Sequence, residues 1–277
     1  MQFLTGNNWQ FSFFKTGKVI LLLVLLMGLA PSGFRYVTTI KADYRAFTSD
    51  HLNNLYLLQG TNTLIKYDKN GTRKAEFSNN KYGKLKYVDA SNPLRLLLFF
   101  PDFSTVVSLD NNLSQMGEYN LREMGIDGIS AIALANDNNL WVYDHMNYRL
   151  KKVTSNLSLK AKSDPFTILF NENVVPDYML ERNNMVYLND PQHGIYVFDN
   201  YASFHKRIPI KGIANFQILN NKLVYCKKGS MFKYDLQTFE TDTIQIPGID
   251  SVRDARLERN RLFLRRKNGL ALYALGD

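Results

Sequence analysis

Apolar and polar residues alternate in short runs along most of this chain, and the runs come in a fixed order. From Asn53 to Asp68 it reads NNLYLLQGTNTLIKYD, and from Asn138 to Thr154 it reads NNLWVYDHMNYRLKKVT. Each stretch opens on two asparagines and an alternating apolar run. A polar turn follows, and then a second alternating run. A period of two sends successive side chains to opposite faces, which marks a half-buried strand. Helical periodicity is not sustained anywhere beyond the N-terminal region.

The same pattern recurs along the chain. Apolar runs begin at Leu55, Leu96, Leu140, Met185, Leu223 and Leu262, in steps of 41, 44, 45, 38 and 39 residues. A second run follows each: LIKYD, VVSLD, LKKVT, IYVFD, MFKYD and LALYA. The stretches between them, such as QGTN, DPQHG and KNG, carry the Asn, Asp, Gly and Pro that tight hairpins need. A further run precedes each pair (YRAFTS, LKYVDA, AIALAN, DYMLER, NFQILN, VRDARLE), and five pairs have one after them (TRKAEF, LSQMGEY, NLSLKAK, SFHKRIP, TDTIQIP). Four short strands per unit of about 40 residues is the pattern of a β-propeller blade.

The predicted fold is therefore all-β: a six-bladed propeller of four-stranded blades over residues 34–277. The sixth repeat lacks its fourth strand. The β-rich run FRYVTTIKA, residues 34–42, is expected to supply it by pairing with Leu270–Leu275. Such closure removes an exposed sheet edge and ties the two ends of the propeller together.

Two repeats carry a resemblance. DHLNNLYLLQGTNTLIKYDKNG resembles the NHL-type propeller repeat, and NDNNLWVYDHMNYRLKKV is similar, with an Asn-x-Arg turn at Asn147 to Arg149. The other four repeats are degenerate. The resemblance implies a six-bladed ring with short strands and no single function, because propellers serve as binding platforms and as enzymes.

Residues 1–33 read differently. Lys15 and Lys18 precede VILLLVLLMGLA, an apolar run of twelve residues from Val19 to Ala30. That is short of the roughly 20 residues a spanning helix needs and has the layout of a secretory signal. Cleavage after Gly28-Leu29-Ala30 would put Pro31 at a new N-terminus, where it fits poorly. An uncleaved membrane anchor is the alternative, and a lipid-modified cysteine is excluded because no Cys follows the run. The expected location is periplasmic or exported.

Composition narrows the chemistry. The chain is 45% apolar with a net charge of +9, which suits a large core and an anionic partner. Its single cysteine, Cys226, allows no internal disulfide, and no disulfide-linked partner is expected. The four histidines, His51, His145, His193 and His205, form no metal spacing, and there is no GxSxG elbow or phosphate-binding glycine loop. Neither a cofactor nor a catalytic residue is assigned. No nucleic-acid partner is expected, since exposed stacking aromatics do not accompany the charge.

Three features of one face remain. The loop between the third and fourth repeats, residues 161–177, is long and holds Phe166, Ile168, Leu169 and Phe170. These side chains either fold back on the blades or form an apolar patch for another protein. Lys227 and Lys228 of the fifth repeat adjoin Arg265, Arg266 and Lys267 of the sixth, a basic border for such a patch. Asp144 and His145 lie beside Asp190 and His193 on the same rim. They are a weak candidate for a metal ion and more simply ordinary turn residues. The expected function is a non-catalytic protein-binding platform, an accessory subunit of a cell-envelope complex for outer-membrane assembly or secretion. The alternative is a propeller enzyme, a hydrolase or lyase acting on a small ligand in the channel. An acidic pair or a His cluster converging on the channel would favour that alternative, and an apolar loop-rich face over a blocked channel the platform.

Overall fold

A computed structural model describes residues 33–248 and 252–275. Residues 1–32, which carry nearly all of the predicted signal or anchor, lie outside it. Among the described residues no helix is long and apolar enough to cross a membrane.

The first strand in the chain, β1 (Phe34–Ile40), belongs to the last blade. Blade one is β2 (Ala46–Ser49), β3 (Leu55–Gln59), β4 (Thr63–Tyr67) and β5 (Arg73–Ser78). Blade two is β6 (Tyr87–Asp89), β7 (Leu96–Phe100), β8 (Thr105–Leu109) and β9 (Gln115–Asn120). Blade three is β10 (Ile129–Leu134), β11 (Leu140–Asp144), β12 (Arg149–Val153) and β13 (Leu159–Lys162). Blade four is β14 (Tyr178–Arg182), β15 (Met185–Asp190), β16 (Gly194–Asp199) and β17 (Phe204–Ile208). Blade five is β18 (Phe216–Leu219), β19 (Lys222–Lys227), β20 (Ser230–Asp235) and β21 (Thr241–Ile244). Blade six is β22 (Asp254–Glu258), β23 (Arg261–Arg266) and β24 (Gly269–Leu275), completed by β1. The chain is a six-bladed β-propeller.

The closure predicted from the missing strand is present. β1 pairs antiparallel with β24 from Phe34 opposite Leu275 to Ile40 opposite Leu270, with a bulge between Tyr36 and Thr38. The joint is packed as well as paired. Ile40, Phe47, Leu55, Phe263 and Leu272 form one core cluster across blades six and one. Every neighbouring pair of blades shares such a cluster. The core is thus a ring of interfaces between sheets rather than one central mass.

A recurrent polar residue shapes the blade edges. Asp68, Asp110, Asp199 and Asp235 each close a third strand, and Oδ1 of each accepts backbone N–H groups two and three or four residues on. In blade three Thr154 Oγ1 takes this place and accepts from Ser158 N at 3.0 Å. The carboxylate replaces the strand as acceptor where the chain reverses, so these aspartates specify turns.

Antiparallel order then sorts the loops. The turns from second to third strands lie on the face of the blade-to-blade connections, and backbone bonds join the two sets. His145 N donates to Gly128 O at 2.8 Å, Gly212 N to Pro191 O at 2.8 Å and Val252 N to Gly229 O at 3.3 Å.

Candidate functional site

The loop between blades three and four is a packing element. Residues Phe166–Phe170 form a one-turn helix, α1, which Asn171 ends in a left-handed conformation at φ 53°. Phe166 is fully buried; its ring stacks on Phe198 at 4.9 Å and meets Tyr143 edge-on at 5.0 Å. Phe170 packs on Tyr196 and Phe204, each at 4.8 Å. Of the two alternatives for these side chains, Phe166 takes the fold-back one and is unavailable to a partner, while Phe170 is partly buried against it. Ile168, 77% exposed, and Leu169, 38% exposed, keep the most apolar surface on that helix. Beyond it, Tyr143 Oη donates to Val174 O at 2.7 Å, and Arg207 Nη1 holds Glu172 at 3.0 Å. These bonds pin the loop down.

The rim carboxylates are also spent locally. Asp144 accepts from Lys151 Nζ at 2.6 Å and from Asn147 Nδ2 at 2.8 Å. Burial works against its charge, yet these bonds hold it below the usual carboxylate range. Asp190 accepts from Val175 N at 3.0 Å and Gln192 N at 2.8 Å, and its Oδ2 lies 3.0 Å from His193 Nδ1. Burial opposes its charge too, and the His193 and backbone contacts outweigh that. Each aspartate thus organises its own turn. Among the described residues no group of three or more His, Cys, Asp or Glu is placed to hold a metal ion.

The basic border is divided. Lys228 and Lys267 are exposed, and Lys227 is half-buried. Arg266 donates to Pro247 O. Arg265 turns inward, donating to Tyr44 O at 3.1 Å and Arg45 O at 2.9 Å, with its guanidinium 5.0 Å above the Tyr44 ring. It thereby joins blade six to the connection leading into blade one.

Arg265 also leads into the channel, where three cavities follow one another and share walls. The outermost, about 300 Å³, opens on the connection face and is lined by Arg45, Arg253, Asp254, Arg265 and Cys226. The Cys226 thiol is pushed up to about 12 by burial, with Asp254 adding to it, so it stays protonated and unreactive at neutral pH. The middle cavity, about 200 Å³, shares Asp254 and Asn215 with the first and ends on Tyr87, Tyr178 and Arg256. The last, about 90 Å³, lies beyond those three and is lined by Ser49, Asp89, Glu181, Gln217 and Glu258.

Alternation on β22 builds the centre of this path. Asp254, Arg256 and Glu258 are two residues apart, so all three face the channel, while Ala255 packs in the core between blades five and six. Arg256 is 6% exposed; it donates from Nη2 to Thr48 Oγ1 at 2.9 Å and from Nη1 to Phe216 O at 3.4 Å. Glu258, also 6% exposed, accepts from Ser49 Oγ at 2.6 Å and Gln217 Nε2 at 3.0 Å, both on Oε1. Burial pushes its carboxyl up to about 7, and the Ser49 bond and Arg256 only partly offset this. Asp89 accepts from Leu134 N at 2.7 Å and Ser91 N at 2.8 Å, yet burial raises it as well. A carboxyl that titrates near neutrality inside a cavity can accept or deliver a proton.

The sequence held a signal for this cluster. DARLE (254–258) sits on a run read as an innermost strand, and charges at alternate positions there can only face the channel. The search by motif spacing missed it because the partners Ser49, Asp89, Tyr178 and Gln217 come from four other blades.

No family model matches the chain, and no curated protein matches it. Solved structures do. The chain is similar to a streptogramin B lyase at 15% identity, covering 88% of this chain and 87% of that one, with a TM-score of 0.57. It is similar to virginiamycin B lyase from Staphylococcus aureus at 12% identity, covering 83% and 79%, with a TM-score of 0.56. The Pan2 WD40 domain of Neurospora crassa aligns at 10% identity over 90% and 92%, with a TM-score of 0.53. Identities this low establish the propeller fold alone. The NHL-type likeness remains a likeness of two repeats.

Proposed function

We propose that this protein is a binding propeller that takes a small polar ligand into its central channel. One observation carries the reading. Charged and hydrogen-bonding side chains from blades one, two, four, five and six converge on connected cavities, whereas the rim carboxylates are tied up in their own turns. Concave sites with a few convergent polar groups and shifted titration are where ligands bind. Glu258 gives the channel a group suited to acid–base chemistry, which keeps a hydrolase or lyase within the proposal. Export to the periplasm, by the signal in residues 1–33, is part of the same proposal.

A thermal-shift screen of polar metabolites tests it. Ser91 is exposed at the wall of the inner cavity, and Ser91→Trp would obstruct that end. Compounds that stabilise the wild type are expected to lose their effect on Ser91→Trp and keep it on Ile168→Ser. Hits that survive Ser91→Trp and Arg256→Met alike would remove the channel reading.

The second reading is a protein-binding platform in a cell-envelope complex. It draws support from Ile168, Leu169, Val175 and Met146, which leave apolar surface exposed around blades three and four. Co-purification that fails in an Ile168→Ser, Leu169→Ser double variant would favour it. The exposed Lys228 and Lys267 would then quicken encounter with an acidic partner.

A further inference from the structure

We infer that the channel ligand carries an oxyanion, a carboxylate or a phosphate, and that Arg256 binds it in mid-channel. The inference rests on the channel reading above and adds the chemical class of the ligand. Arg256 is buried on the wall common to the middle and inner cavities. A guanidinium has five N–H donors, and here the bonds to Thr48 Oγ1 and Phe216 O both go to neutral oxygens. Its Nε is buried with no hydrogen-bond partner. Burial works against its charge, while Tyr178, Asp254 and Tyr87 support it and leave its pKa raised overall; Asp89 and Glu258 also feel its field, and among the described residues none of these carboxylates forms a close ion pair with it. A buried N–H donor left without an acceptor is costly, and an oxyanion is a group that would complete it.

The other cations of the channel differ. Lys86 gives its ammonium to Ser130 O at 2.7 Å, and Arg265 is taken by two carbonyls and the Tyr44 ring. Of these three, Arg256 is the one with a buried side-chain nitrogen that meets no acceptor. The path to it suits an anion, because Arg45, Arg253 and Arg265 line the outer mouth and Arg253 is exposed. Six carboxyls line the middle and inner cavities and oppose an anion, and each is hydrogen-bonded elsewhere: Glu258 with Ser49 and Gln217, Asp89 with two backbone amides, Asp254 with Ala255 N, Asp50 with Tyr56 and Asn54, Glu181 with Trp141 and Asp177 with Asn189. A guanidinium edge meets a carboxylate or phosphate oxygen with directional bonds that a point charge lacks.

The experiment follows the Arg256 Nε–Hε resonance of the full folded chain by NMR, identified by its loss in Arg256→Lys. The probes are sodium acetate and inorganic phosphate, with sodium chloride at equal ionic strength as the control. A saturable shift with acetate or phosphate and none with chloride is expected, and the stronger probe distinguishes a carboxylate from a phosphate ligand. Affinity for that probe should fall at least tenfold in Arg256→Met. A resonance unmoved by both oxyanions, or moved equally by chloride, overturns the inference. Uncharged screening hits that are sensitive to Ser91→Trp but leave this resonance still would keep the channel reading and remove the oxyanion.

Discussion

The helical loop at Phe166–Phe170 and the channel strand Asp254–Glu258 bury their side chains for opposite ends. In the loop, the Phe166 side chain is fully buried and has no polar group to satisfy: it touches aromatic rings from blades three and four. In the channel, burial is nearly as deep, but Arg256 Nε has no partner and Glu258 is held near its protonated form. An apolar side chain in a long loop can lower its free energy by folding back, as Phe166 does. A charged side chain on an innermost strand has no such escape, so it must be satisfied there or wait for a ligand. Exposure in sequence is therefore a weaker guide to function than burial without satisfaction.

The contrast can be broken by substitution. The largest expected effect is Phe166→Ala, which should cost about 3–5 kcal/mol, as for other large aromatic deletions in cores. Denaturant unfolding measures it, and a loss under 1 kcal/mol would mean that the loop is not core. Next is Glu258→Gln. Because the folded pKa of Glu258 is raised from 4.5 to about 7, its contribution to stability is whole below pH 4.5 and disappears as the pH rises through about 7. Glu258→Gln removes that dependence and should gain on the order of 3 kcal/mol relative to wild type between pH 4 and pH 8. Parallel stability curves for the two proteins would show that Glu258 titrates normally.

Arg256→Met should lower stability by about 1 kcal/mol, because it removes the bonds to Thr48 and Phe216 and the positive field that favours ionised Asp89, Asp254 and Glu258, less the gain from removing a buried charge. A loss of several kcal/mol would show that Thr48 and Phe216 already satisfy the guanidinium. The smallest effect belongs to the exposed helix surface. Ile168→Ser with Leu169→Ser should leave the unfolding midpoint within about 0.5 kcal/mol of wild type. A larger loss would place these side chains in the core with Phe166.

Most of the architecture was legible in the order of residues. The alternation from Asn53 to Asp68, repeated at steps of 38 to 45 residues, specifies strands, turns and blade number. The absent last strand of the sixth repeat points to Phe34–Ile40 as its replacement, and that pairing is seen. These are local signals, written within one hairpin or by the lack of one, and each aspartate that closes a third strand acts on amides within four residues of itself. Tertiary structure decided the rest. Whether Phe166 faced solvent or core depended on Tyr143 and Phe198, which stand on separate blades and offer a cavity that no local pattern describes. The channel belongs to the same class of fact. Ser49 and Glu258 are 209 residues apart in the chain and 2.6 Å apart in space, and only ring closure creates the burial that shifts Glu258 and leaves the Arg256 Nε beside it without an acceptor. Backbone conformation answers to near neighbours; burial and electrostatics answer to whatever the closed ring brings together.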